Sequence, residues 1–475
     1  MRFAVVILIG FLSFSLSAQK WEKLDQKFRK HYDAQEYPVA GKFAEKEIHY
    51  SLKRLDSTDI RYMRSYHNLA KVYFSMDEPD LARRYVGIAY RLMVPFYDYG
   101  ADLGEVYELS GRIELQLGYH ERAASFLTYA RDVNAEVFGV GSREYLQSLY
   151  YIAELEMARS QWQEMAAVLE EALVIHLQHF PKDHDYVRYA NYLGLIYLNN
   201  GVNDQAEAFF RSAVSAYDET GIEKDLPFGH VNNNLALACY YQSDFENASI
   251  HFQRADSIYR ILVTGYSENY MMLLNNLASL YYSWDKPELA GIAYRELEQY
   301  LEKYPGYEDL NYIQGVENAA HYYAEAGDPG KAEIYYRKAI GLRRSVIPAD
   351  QEGLAGGLIH LAYFYREESK IQLAAETATE AYNILLKIRP PADPLLVGVL
   401  TFLGESYDEL HQDQKSLDYY LLAREQIELA PGVEFPEAWS VYNHLGILYL
   451  RQNNLVEALQ SFIKAHQLDP PGEGD

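Results

Sequence analysis

Asn275-Asn276-Leu277-Ala278-Ser279-Leu280-Tyr281 stands forty-two residues after Asn233-Asn234-Leu235-Ala236-Leu237-Ala238-Cys239. In both stretches a small residue follows a leucine, and a side chain three positions on is Tyr281 or, in its place, Cys239. The same frame continues outward through Asn68-Leu69-Ala70 with Tyr73, Tyr192-Leu193-Gly194 with Tyr197, and His444-Leu445-Gly446 with Tyr449. The small position runs Ala70, Gly111, Ala153, Gly194, Ala236, Ala278, Ala320, Ala362, Gly404 and Gly446, in steps of 41, 42, 41 and then 42 six times. A second small residue follows twelve positions later, as at Ala82, Ala206 and Ala290, with Met165 and Ser416 departing. Four further on stands a bulky group such as Val86, Phe210, Tyr294 or Phe462; Ala378 is the exception. Spacings of three and four mark one helix face, so each period reads as two antiparallel helices that approach closely at the small residues.

Turn chemistry points the same way. Pro79, Pro287 and Pro329 fall nine residues after the small position, where a second helix would begin and the missing N–H costs nothing. Asp77, Asp285 and Asp328 precede them as expected helix caps. Stepping back one period from Ala70 reaches Phe28, with Ala40 at the twelve-residue offset. Residues 19–52 therefore read as a degenerate N-terminal capping repeat, followed by ten tandem units over 53–470 and a short tail at 471–475. Residues 1–18, with Arg2, an apolar run and Ser15-Leu16-Ser17-Ala18, read as a secretory signal peptide. The expected location is accordingly exported, periplasmic or extracellular, with no transmembrane span.

These units resemble the tetratricopeptide repeat, and the 42-residue period with the paired asparagines is similar to the kinesin-light-chain type. The chain looks like exported bacterial arrays of that kind. The resemblance implies an all-α, right-handed superhelical solenoid of about 11 helix-turn-helix units, and a scaffold that binds other proteins.

Composition excludes several alternatives. Among 475 residues, 43 Lys+Arg against 68 Asp+Glu give a net charge of −25, the wrong sign for a nucleic-acid backbone. The single cysteine, Cys239, rules out a disulfide framework and falls where a packing tyrosine usually sits. No phosphate-binding loop, nucleophile elbow or His-Glu-x-x-His helix is present, so neither catalysis nor a cofactor is expected. His176 and His179 could chelate a metal but read more simply as a helix-end pair, and Asp183-His184-Asp185 reads as turn residues.

What remains is the concave face, which the first helix of each unit should line. Asn68, Asn191, Asn233, Asn234, Asn275, Asn276 and Asn318 fall on it, two or three residues before the small position. Asparagine is a mediocre helix former, whereas its amide both donates and accepts, which suits an extended peptide. In the family resembled, asparagines at the matching site bind peptide backbone, and Asn68, Asn234, Asn276 and Asn318 occupy it. Tyr240 and Tyr282 share the face and could grip a peptide or stack on a sugar. Arg64 with Asn68, and Arg188 with Tyr192, are partial matches to a terminal-carboxylate clamp. The alternative for the amides is that they bridge adjacent units. The expected partner is a protein or peptide carrying a basic segment, drawn by the acidic charge. Glycan capture is the second reading. A third is self-association through the C-terminal repeat, where Leu455, Leu459, Phe462 and Ile463 form an apolar edge.

Overall fold

Each hairpin turns on one residue with left-handed backbone. The computed structural model of the protein describes residues 19–95, 100–221, 223–305, 310–346 and 350–468; the leader-like residues 1–18 and the tail at 471–475 lie outside them. Positive φ recurs at Asp77, Gly118, Ser160, Gly201, Ser243, Asp285, Gly327, Ser369, His411 and Asn453, each seven residues after the small position. Gln35 holds the corresponding place one period earlier. At each of these turns the next N–H reaches back to a carbonyl of the first helix, as in Glu78 to Tyr73 (2.9 Å), Lys286 to Tyr281 (3.0 Å) and Asn454 to Tyr449 (2.8 Å). That backward bond satisfies a carbonyl the helix end would otherwise orphan.

The expected caps need correcting here. Asp328 does cap its helix, accepting from the N–H of Lys331 at 3.0 Å. Asp77 and Asp285 are instead the left-handed turn residues, and Glu78 and Lys286 take the cap position without a side-chain bond. The prolines behave as expected, opening the second helices at Pro79, Pro287 and Pro329.

Among the described residues the regular structure is entirely helical. Two compact units divide after Asp244. The first contains α1 (19–33), α2 (Tyr37–Arg54), α3 (Ile60–Ser75), α4 (Pro79–Met93), α5 (Gly100–Gln116) and α6 (His120–Phe138). It continues with α7 (Arg143–Ala158), α8 (Trp162–His179), α9 (His184–Asn199), α10 (Asn203–Thr220) and α11 (Leu226–Tyr241). The second contains α12 (Phe245–Leu262), α13 (Glu268–Ser283), α14 (Pro287–Lys303), α15 (Leu310–Glu325), α16 (Pro329–Ser345) and α17 (Gln351–Glu367). After these come α18 (Ile371–Ile388), α19 (Pro394–Glu409), α20 (Asp413–Leu429), α21 (Ala438–Arg451) and α22 (Leu455–Gln467). No helix among the described residues is long and apolar enough to cross a membrane.

Small residues set the helix spacing. A Cβ added to Gly194 would lie 2.5 Å from the Phe210 ring, and one on Gly446 would lie 2.5 Å from Phe462. The bulky residue of the second helix thus fills the space that glycine leaves on the first, which is close packing between facing ridges. Four of the seven tyrosines three residues beyond the small position stack on an aromatic ring twelve residues later. Tyr73 meets Tyr85 at 5.4 Å, Tyr197 meets Phe209 at 5.5 Å and Tyr407 meets Tyr419 at 5.4 Å between centroids. Within each unit, helices pack on their chain neighbours, and first helices also touch one another: α3 on α5, α5 on α7, α9 on α11, and α13 on α15. In each unit those contacts create a face on which candidate residues lie.

Candidate functional site

Several neighbouring first helices bond at an offset of 43 residues, one period plus one residue, while others meet at 38 or 39, as Arg64 with Asp102 and Arg366 with Glu405 do. In the first unit the amide of Asn68 donates to Asp25 (3.2 Å) and the amide of Asn234 donates to Asn191 (3.0 Å). The second unit repeats this, with Asn318 donating to Asn275 at 2.8 Å. Tyr282 donates to Glu325 and Arg451 to Asp408 at the same offset. The asparagines therefore form rungs between neighbouring first helices. A side-chain amide has two N–H donors and an acceptor oxygen, so a rung uses only part of its capacity.

The amides are not equally placed. Asn191, Asn233, Asn234, Asn275, Asn276 and Asn318 are half-buried on this face. Asn233 also donates to Asn234 at 3.4 Å, and Gln314 donates to Asn318 at 3.0 Å. Asn68 is buried, donating to Glu47 at 2.9 Å as well as to Asp25. Burial pushes the Glu47 carboxyl up to about 8 despite that bond, and burial pulls the neighbouring His67 down to about 3. Asn68 is thus a structural linchpin of α1, α2 and α3, although it also borders a polar recess of about 270 Å³ with Arg64, Lys71 and Asp102. Of the tyrosines, Tyr282 is 47% exposed, and Tyr240 is half-buried beside Tyr241.

Neither partial match to a terminal-carboxylate clamp presents a free cation. The Arg64 guanidinium makes a two-pronged pair with Asp102 at 2.6 and 2.8 Å. Arg188 lies 3.9 Å over the Tyr150 ring and pairs with Asp185 at 2.5 Å. Both cations already have partners. Farther along the face, burial raises Glu108 to about 7, only partly offset by Arg112.

Sequence reading misassigned one side chain of the apolar edge. Leu455, Val456, Leu459 and Ile463 are exposed along α22, but Phe462 turns inward over Gly446. His176 is fully buried, with Nε2 2.9 Å from the Pro181 carbonyl, while the His179 ring packs against Gly141. Asp183 caps α9, accepting from the N–H groups of Asp185 and Tyr186. Cys239 is buried, and burial raises its thiol to about 11, so it carries no nucleophilic thiolate at neutral pH.

Three comparisons bear on this architecture. Residues 316–346 match the family model described as tetratricopeptide repeat. No curated protein matches the sequence. Among solved structures, the chain is similar to the apo form of RapI, 13% identical over 78% of this chain and 98% of that one, with a TM-score of 0.58. It also aligns with the apo form of the quorum sensor NprR from B. thuringiensis (16% identity, 77% and 97% coverage, TM-score 0.47). A third match is BtubC from P. vanneervenii (19% identity, 49% and 94% coverage, TM-score 0.42). The match of residues 316–346 falls on α15 and α16, a hairpin with the same stride, turn and small-residue contact as its neighbours. The α15–α16 hairpin matches the tetratricopeptide repeat, and the other hairpins share its fold.

Proposed function

We propose that the protein is a non-catalytic scaffold that binds an extended peptide segment along its first helices, with the partner contributing a basic stretch. One observation carries the reading: half-buried amides recur beside tyrosines on the first helices of each compact unit, and bonds between neighbouring helices hold several of them in place. An extended peptide backbone offers one donor and one acceptor per residue, and side-chain amides match both. Rungs fix the amide orientation before a ligand arrives, which lowers the ordering cost of binding. The net charge of −25 favours a basic partner by steering.

Capture of partner proteins by the purified chain, compared with an Asn234→Ala/Asn318→Ala double variant, tests this. Each lost rung costs about 1 kcal/mol of stability, so the variant stays folded with a slightly lower Tm. The peptide reading predicts that capture falls by about tenfold or more, because each lost amide contact to the partner is worth up to about 1.5 kcal/mol. A variant that is folded, shifted in Tm and undiminished in capture would reduce the amides to inter-helix struts.

A further inference from the structure

One repeat lacks its own filling. In the other nine full units the position sixteen residues after the small one carries a group larger than alanine, and in four of them that group sits over glycine. At the eighth unit both partners are alanines, Ala362 on α17 and Ala378 on α18. The consequence is a cavity of about 470 Å³ in the second unit, with these two alanines in its lining. Ile359, Leu395, Val399 and Phe402 line it further, and Tyr363, 43% exposed, stands at its border. The space is large enough for an aromatic side chain, the group that this position carries in several other repeats.

The rim holds one charge of defined character. Glu437, immediately before α21, lines the same cavity, and its Oε2 is buried with no hydrogen-bond partner. Gly398 lets this carboxylate come close: a Cβ there would lie 3.4 Å from Oε1. A buried carboxylate oxygen without a donor is costly unless a ligand supplies one. Across the cavity Arg366 lies 4.5 Å over the Phe402 ring, and its charge is taken up by Glu405 at 2.6 Å. The uncompensated demand is therefore for a cation or N–H donor beside an apolar group.

We propose that this cavity is the anchor pocket for a partner peptide, receiving a Phe-like side chain while an adjacent Lys or Arg reaches Glu437. The proposal rests on the peptide-binding reading above and names where specificity is set. An intramolecular knob, present in the other repeats, is here supplied by the ligand.

The defining variant is Ala378→Phe, which restores the repeat's own knob and closes the pocket without opening a cavity, so its Tm stays level or rises. The probe is acetyl-Phe-Arg-amide, followed by saturation-transfer NMR on the full chain. Wild type is expected to saturate the phenyl protons most strongly. Ala378→Phe weakens binding by roughly tenfold or more, as loss of a buried aromatic contact requires. Glu437→Gln weakens it about fivefold, and acetyl-Phe-Glu-amide binds worse than the arginine probe. Equal binding of the probe to wild type and folded Ala378→Phe overturns the pocket. Protein capture separates the two proposals: capture kept in Ala378→Phe but lost in Asn234→Ala/Asn318→Ala removes the pocket and leaves the groove. Capture unaffected by either variant removes both.

Discussion

Glu47 shows how one side chain can hold repeats together at a cost that depends on pH. It is buried under α3, bonded through Oε2 to Asn68, while Oε1 finds no partner. Burial raises its carboxyl from 4.5 to about 8, so the folded chain binds a proton that the unfolded chain releases above 4.5. Its contribution is therefore complete below about pH 4.5 and is lost as pH rises through 8. Glu47→Gln keeps the acceptor for Asn68 and removes the titration. Urea denaturation should show the variant more stable than wild type by on the order of 2–4 kcal/mol above pH 8, and level with it near pH 4.5. A constant difference across that range would contradict the assignment. Asn68 itself was legible only in part: its place in the period was plain, but its use as a rung to Asp25 depends on the neighbouring helix, which spacing along one helix does not reveal.

At the scale of the hairpin, the turn is the most regular element and the one hardest to read. Its left-handed residue is Gly at 118, 201 and 327, but Asp, Ser, His or Asn in the other full units. A motif search keyed to residue type passes over it; a search keyed to the distance from the small residue finds it every time. Gly201 sits at φ +73° with nothing within 4 Å of an added Cβ, so a side chain there meets only backbone strain. Gly201→Val should lower stability by about 1–2 kcal/mol, and His411→Gly, at φ +56°, should raise it by up to about 1 kcal/mol. Thermal unfolding of the two variants checks both signs; the opposite ordering would mean that the turns are not held as described. The helix pairs were legible because the stride, the small residues and the bulky partners are all local repeats. Asp77 and Asp285 were misread as caps because aspartate suits both a cap and a left-handed turn, and only backbone geometry separates the two.

At the scale of each compact unit, repetition fixes which surface is continuous. Within the units first helices touch one another, α3 on α5, α5 on α7, α9 on α11 and α13 on α15, and bonds at a 43-residue offset tie α1 to α3, α9 to α11, α13 to α15 and α19 to α21. The second helices carry exposed apolar residues too, such as Ile261 and Ile334, and are tied to one another by ion pairs rather than amides, Arg260 to Glu296 and Arg344 to Glu380 at 2.7 Å each. The anchor pocket was half visible in the sequence: Ala378 stood out from the pattern, yet whether neighbouring side chains collapse into the gap depends on packing across three helices. Glu437 gave no signal at all, because it precedes its helix and reaches the pocket from two repeats further on.

The most direct test places a photo-crosslinking phenylalanine analogue singly at Tyr282, Tyr363, Ile261 or Ile334 in the full chain and exposes each to extract from the native cell. The account predicts protein adducts from positions 282 and 363 on first helices, competed by a basic peptide that contains phenylalanine, with little or none from 261 and 334 on second helices. Adducts formed equally or preferentially from the second-helix positions would contradict it.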